Sequence, residues 1–298
     1  MADIATSVLA RLKKKAEQAG RSNQLCLQLF CQEEFLRRLQ HSRYDDNLIL
    51  KGGLFVYALT NFDSRVTVDV DFLLQGIPNT PDRLKLVLDE IIAADTGNSF
   101  ITFEITRIEP ISVTKKYAGV RAAFATRIKN TKTTFSIDFG VGDIIVPGRE
   151  KRKIPTQLEG FDNPVVSAYS IESTVAEKFD AIMSLMEFSS RMKDYYDILY
   201  ISRRFDIDGS TLREALLRTF TNRSRDFKME QFNQLILLCD DSSMKKKWSA
   251  FLKKIASFDV SFTEAMKSLD TFLREVTASV IEVQPFSKSW SATTGRWM

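Results

Sequence analysis

Arg65-Val66-Thr67-Val68-Asp69-Val70-Asp71-Phe72 alternates polar and apolar residues without a break. On a strand successive side chains face opposite ways. Val66, Val68, Val70 and Phe72 are therefore expected on one face, with Thr67, Asp69 and Asp71 on the other. The two carboxylates then stand about 7 Å apart along the backbone and can lean together on one divalent cation. Left without one they repel, and one takes up a proton. Magnesium suits such a pair, because it is held by one or two carboxylates and completed by water and substrate phosphates. A solvent-facing strand edge decorated with acids is the competing reading, since so short a pattern recurs by chance.

Two neighbouring stretches bear on that choice. Upstream, the apolar run Leu48-Ile49-Leu50 meets Lys51-Gly52-Gly53 and a second apolar stretch, Leu54 to Leu59. This pattern predicts strand, tight glycine turn and helix, and backbone amides at such a turn cradle phosphate. Downstream, Phe135-Ser136-Ile137-Asp138-Phe139 alternates again and offers Asp138 as a third carboxylate from an adjacent strand. Three acids and a glycine turn form the constellation expected for metal-assisted phosphoryl transfer.

Around this centre the periodicity predicts helices over Ala10–Gln18 and Asn23–Leu39, a long strand over Arg65–Leu74 and a helix from Pro81. Strands follow over Phe100–Ile108, Val120–Ile128 and Thr134–Phe139, with a turn at Lys129–Lys132. Gly148–Pro164, basic and marked by proline, has the composition of a linker. From Tyr169 to Val280 the pattern is helical, and the last eighteen residues are polar with two tryptophans and no assignable element. The expected organisation is a mixed-sheet domain with N-terminal helices over 1–147, a linker over 148–164, a helical domain over 165–280 and a tail over 281–298, an α+β arrangement.

In the helix expected after Ser170, Ile171, Val175, Phe179, Ile182 and Met186 form the apolar stripe, and Lys178 lies on its inward edge. An inward lysine seeks an anion, phosphate among the candidates. The alternative is a lysine whose stem covers apolar surface while its amine reaches water. Further on, Asp194 shares a face with Ile198, Ile201 and Phe205, and Arg191 sits one turn earlier. Asp194 either complements the helix dipole and pairs with Arg191, or orients Lys178 or acts on an acceptor hydroxyl, with Arg191 available to phosphate.

The bulk numbers exclude several other classes. The 298 residues are 44% hydrophobic and 27% charged, a globular composition. A formal net charge of +4, from 42 basic and 38 acidic side chains, permits an anionic partner without announcing one. Cys26, Cys31 and Cys239 make an odd number without a Cys-x-x-Cys spacing, so neither a disulfide framework nor a structural zinc site is expected. The N-terminus lacks the order of a signal peptide, and no run approaches the roughly 20 apolar residues of a membrane span. A soluble cytoplasmic protein without a membrane partner is expected. A single histidine, His41, is placed to cap a helix, and imidazole-based sites are nearly excluded. No phosphate-loop or dinucleotide fingerprint occurs. The basic runs at Lys13–Lys15, Arg149–Lys153 and Lys245–Lys247 read as solvated faces; if one is functional, the second is favoured, because it borders the expected cleft.

Taken in order, Lys51-Gly52-Gly53, Arg65-x-Thr67-x-Asp69-x-Asp71-Phe72, Ala176-Glu177-Lys178 and Arg191-x-Lys193-Asp194-x-x-Asp197 resemble the AbiEii/MenT nucleotidyltransferase toxins of bacterial toxin–antitoxin systems. These are a branch of the DNA polymerase β-like superfamily, and the resemblance spans roughly residues 45–205. It implies a polymerase β-like mixed sheet with flanking helices followed by an all-helical C-terminal domain. It also implies transfer of a nucleoside monophosphate from an NTP, with Mg2+ (or Mn2+) as cofactor. An RNA acceptor such as the 3′ end of tRNA, a consequent block of translation and a cognate antitoxin go with it.

By position, Asp69 and Asp71 match the metal ligands, Lys178 and Asp194 the later catalytic pair, and Thr67 a triphosphate contact. Lys51, Gly52, Gly53, Arg65 and Arg191 are the accompanying substrate-binding candidates. Asp138 as third metal ligand is a structural inference by analogy with the superfamily. The long spacing from Gly53 to Asp69 departs from the shorter gap of many members. Transfer to a protein hydroxyl, a nuclease using the same acids and a non-catalytic nucleotide- or partner-binding module stand as alternatives.

Overall fold

Two helices open the chain. α1 (Ile4–Gln18) begins well before Ala10, because Asp3 accepts a hydrogen bond from the Thr6 amide and caps it. α2 (Asn23–Gln40) is capped by Ser22 and ends on His41, which occupies the expected C-cap. The computed structural model describes residues 3–111, 119–255 and 260–298. α2 is buried along most of its length, charged residues included. Arg37 reaches Glu33 at 3.1 Å and Glu34 at 3.2 Å, and Arg38 reaches Glu34 at 3.2 Å. Buried charges persist when they are paired and hydrogen-bonded; Arg37 completes its set on the Asp162 carbonyl, 2.7 Å away.

β1 (Leu48–Lys51) runs directly into α3 (Gly52–Leu59). There follow β2 (Val70–Leu74), α4 (Pro81–Ala93), β3 (Ile101–Ile111), β4 (Gly119–Ile128), β5 (Thr131–Gly140), β6 (Glu150–Lys153) and β7 (Val165–Ala168). They form a seven-stranded mixed sheet in the order β3-β4-β5-β2-β1-β7-β6. The β2–β5 and β1–β7 pairs are parallel and the other neighbours antiparallel. Leu48, Ile49 and Leu50 are fully buried, as a central strand covered on both faces requires, and this explains their uninterrupted apolar run. α2 lays Phe35 against Phe72 and Phe124, with ring centroids at 6.3 and 5.6 Å. The architecture is the mixed sheet with flanking helices that the sequence led us to expect.

The strand expected over Arg65–Leu74 is present only as β2. Residues 65–69 have no ladder partner, and their alternation is broken: Thr67 is buried while Val68, 41% exposed, and Asp69 both face outward. Two of their backbone groups are satisfied by side chains instead. The Gln32 amide donates to the Val68 carbonyl at 2.9 Å, and the Asp69 amide donates to Thr67 Oγ1 at 3.3 Å.

The stretch read as a linker, 148–164, contributes β6 to the sheet edge and packs Phe161 on Phe30 at 5.0 Å. The chain divides into one unit of residues 1–142 with 150–168 and a second of residues 143–149 with 169–298.

The second unit is built on α5 (Ile171–Leu185), α6 (Met192–Arg204), α7 (Gly209–Asn222), α8 (Met229–Leu237), α9 (Ser242–Ile255) and α10 (Phe262–Ile281). Segment 143–149 is bound to it through Arg223, which bridges Asp143 at 3.0 Å and the buried Asp180 at 2.8 Å. The C-terminal stretch, unassignable from sequence, supplies two strands. β8 (Ile207–Asp208) pairs with β9 (Ser289–Ser291), and β9 with β10 (Arg296–Trp297). The tryptophans explain this. Trp290 is buried and donates to the Ser202 carbonyl at 2.7 Å, and Trp297 stacks on Phe272 at 5.8 Å. No helix among the described residues is long and apolar enough to cross a membrane.

Candidate active site

In the first unit the site grows from the register of four neighbouring strands. Lys51 pairs with Asp71 across β1 and β2, Asp71 with Asp138 across β2 and β5, and Asp138 with Arg121 across β5 and β4. Directly opposed residues share a face of the sheet, so one row of basic, acidic, acidic and basic side chains crosses four strands. Arg121 grips Asp138 with both nitrogens of its fork, Nε at 2.6 Å and the terminal nitrogen at 2.7 Å. Asp69, immediately before β2, is exposed, and Asp71 is half-buried.

The glycine turn is pressed against this row. Gly52 sits at φ +70°, and a Cβ there would collide with the Asp71 carboxylate, its Cγ being only 3.0 Å away. A Cβ on Gly53 would lie 3.0 Å from Thr67 Oγ1 and 3.2 Å from Thr67 Cβ. Only glycine lets the backbone approach both residues so closely. Lys51 caps α3 without a side-chain hydrogen bond to its amides, and Arg65 and Thr67 are both buried. The fold thus brings Lys51, Gly52, Gly53, Thr67, Asp71 and Asp138 together. We expect Gly52→Ala to destabilise the protein by about 1–3 kcal/mol through left-handed strain, and to reduce nucleotide incorporation at least tenfold by displacing Asp71. A thermal melt and an incorporation assay measure the two effects; an unchanged rate would detach the turn from the chemistry.

The donor set fits a magnesium ion in a limited way. Asp69 and Asp71 are the carboxylate pair such an ion uses while keeping water and phosphate ligands. Asp138 has both oxygens engaged by Arg121. Among the described residues no three His, Cys, Asp or Glu side chains are gathered as a metal-holding group.

The second unit carries the other candidates. α5 is capped by Ser170, and its buried side includes Val175, Phe179 and Ile182 with Lys178 among them. Lys178 does not reach for water. Its Nζ donates to Asp197 at 2.6 Å and to Asp194 at 3.2 Å, and Arg191 Nε donates to Asp194 at 2.5 Å. Both carboxylates are fully buried on α6, three residues apart and therefore on one helix face. Burial pushes the Asp194 carboxyl up, but Lys178 and Arg191 outweigh burial and hold it below its ordinary value of 3.8. Asp194 thus contacts both Arg191 and Lys178. Asp197, quoted only within the sequence motif, proves the nearer partner of Lys178. Its spacing after Asp194 was the available signal.

A mixed sheet whose central strand ends in a glycine turn packed on an acidic strand is a nucleotidyltransferase architecture. The family model described as nucleotidyl transferase AbiEii toxin, type IV toxin–antitoxin system, matches residues 34–275, and the chain belongs to that family. It is a nucleotidyltransferase toxin of this kind. Among solved structures, MenT4, a nucleotidyltransferase toxin from Mycobacterium tuberculosis H37Rv, is 17% identical, with a TM-score of 0.53 over 93% of this chain and 99% of that one. The likeness is one of fold. JHP933 from Helicobacter pylori is 14% identical over 86% of this chain and 94% of its own, with a TM-score of 0.46. None of the curated proteins matches.

Proposed function

We propose that the protein transfers a nucleoside monophosphate from an NTP to an RNA acceptor in the cytoplasm, foremost the 3′ end of tRNA, and thereby blocks translation. The observation that carries this reading is the contact of the Gly52–Gly53 turn with Asp71 and Thr67. It supports reading the turn as a phosphate cradle next to Asp71. In the reaction, an acceptor hydroxyl oxygen bonds to the α-phosphorus while the bond to the β-phosphate oxygen breaks and pyrophosphate leaves.

Asp69 and Asp71 are the residues to hold magnesium or manganese, with Asp138 joining only if Arg121 releases it. Bound there, the ion supplies neutralisation of charge developing on the phosphate. In the first unit Lys51, Gly52, Gly53, Arg65 and Thr67 are the groups to bind the triphosphate; in the second, Lys178 and Arg191, held by Asp194 and Asp197, are the candidate hydrogen-bond donors to phosphate. Asp194 orients Lys178. The chemistry asks for no covalent intermediate, which agrees with a site of carboxylates, lysine and backbone. A cognate antitoxin is the partner implied by family membership.

The test incubates the protein with each α-labelled NTP and magnesium in the presence of bulk tRNA or of total protein. The expected result is label in tRNA, equimolar pyrophosphate and loss of both on chelation. Label in protein alone would replace the acceptor, shortened RNA would make the protein a nuclease, and no pyrophosphate with any NTP would make it a binding module.

A further inference from the structure

Two members of the basic run favoured from sequence, Arg149–Lys153, are engaged by acids. Lys151 bridges Asp45 at 2.6 Å and Asp46 at 2.9 Å, and Arg152 pairs with Glu150 at 2.5 Å. The concentration of positive charge lies elsewhere, on α9. That helix reads SSMKKKWSAFLKKI, five lysines with no acid, so its +5 exceeds the +4 of the entire chain. The remainder of the protein is therefore close to balanced, at −1.

α9 has a fixed orientation. Trp248 is buried, donates to the Val260 carbonyl at 2.7 Å and packs on Tyr196 and Phe262. With Met244 and Trp248 facing inward, Lys245, Lys246, Ser249, Ala250, Lys253 and Lys254 are exposed, Lys245 pairing with Asp240 at 3.4 Å. Lys246 and Lys253 are seven residues apart and so lie on one stripe, about 10 Å from each other.

Lys247 has a different task. Its Nζ donates to the carbonyls of Glu187 and Ser189, each at 3.0 Å. These carbonyls flank Phe188, whose side chain is left 83% exposed. Ser189 itself is buried and accepts a hydrogen bond from the Arg191 amide at 3.1 Å. The ring is thus held outward on a turn that Lys247 ties to α9, the helix whose outer face carries the other lysines.

We propose that this surface, the outer face of α9 with Phe188, binds single-stranded RNA. Lysines tracking phosphates and an aromatic platform on which a base stacks are the two elements of sequence-tolerant single-strand recognition. An amphipathic membrane contact would require a continuous apolar stripe, and the outer face of α9 carries serine, alanine and lysine. The inference deepens the reading of RNA as acceptor by naming a surface that holds a single-stranded stretch of it, and it rests on that reading for the choice of RNA as ligand.

The test measures fluorescence polarisation of a labelled single-stranded RNA of about twelve nucleotides with the whole protein, over about 50–200 mM salt. Wild type should lose affinity steeply as salt rises. Phe188→Ala should bind about tenfold more weakly and Phe188→Trp should bind as wild type. Lys246→Gln/Lys253→Gln should lower the slope of log affinity against log salt by about 1.4, at about 0.7 for each phosphate contact. All sites are exposed, so melting curves should coincide. Unchanged affinity in Phe188→Ala and in the lysine variant overturns the proposal, as it would if an acidic protein were the true occupant; so does a wild-type slope near zero. Labelled-NTP transfer in the same samples separates the two ideas. Wild type that binds RNA here but labels none leaves the surface standing and removes the acceptor reading. Labelling with variants that bind normally does the reverse.

Discussion

Asp69→Ala should lower transfer of labelled NMP on the order of 10³-fold, equivalent to about 4 kcal/mol of lost transition-state stabilisation. The melting temperature should stay within a degree or two of wild type. The asymmetry follows from position. Asp69 is exposed and precedes β2 rather than pairing within it, so little packing depends on its side chain. Surface substitutions away from special features change stability by about 0.5 kcal/mol or less. Asp71 would be a poorer choice, because its carboxylate lies against Gly52 and its strand position is central. A rate retained in Asp69→Ala, measured with saturating magnesium, would end the assignment of this pair as metal ligands.

Lys178→Met should be the more damaging change, since it removes a proposed triphosphate contact and a buried counter-charge together. Asp194 and Asp197 are fully buried, and Asp197 accepts from Lys178 at 2.6 Å. Breaking a buried ion pair by deleting one partner typically costs about 3–5 kcal/mol. Asp194 keeps Arg191, while Asp197 loses its Lys178 donor. The loss of activity, expected at about 10²–10³-fold, would alone be ambiguous, because a partly unfolded enzyme is also slow. The double variant Lys178→Met/Asp197→Asn resolves this. Removing both charges should recover most of the stability, and the rate should remain low. If rate and melting temperature recover together, Lys178 serves packing and the triphosphate role is withdrawn.

How far the molecule could be read from its sequence depended on whether a pattern was local. The period-two stretches that became β3, β4 and β5, and the leucine stripes of the helices, carry their burial in their spacing. The same is true of Lys178 on the inward edge of α5. Residues 65–69 alternate just as cleanly, yet their backbone partners are a glutamine from α2 and a threonine hydroxyl, which no spacing could announce.

β6 was missed because Glu-Lys-Arg-Lys is a polar edge strand, where charge guards against unwanted pairing and hides the strand signal. Asp197 and Asp194 look alike in the motif, and only the distances to Lys178 rank them. Arg121, which stands 51 residues after Val70 in no recognisable motif, enters the site solely through strand pairing with Asp138.

The return of residues 150–168 to the sheet has a consequence for anyone dissecting this toxin. The backbone passes between its two units three times, at 142/143, 149/150 and 168/169. No single scission yields two intact halves: a break near 148 deprives β1 of its parallel neighbour β7, and one after 168 leaves Asp143 severed from the chain that carries its Arg223 partner. Sheet and helices are interleaved in sequence, so each must be synthesised in part before the other is complete.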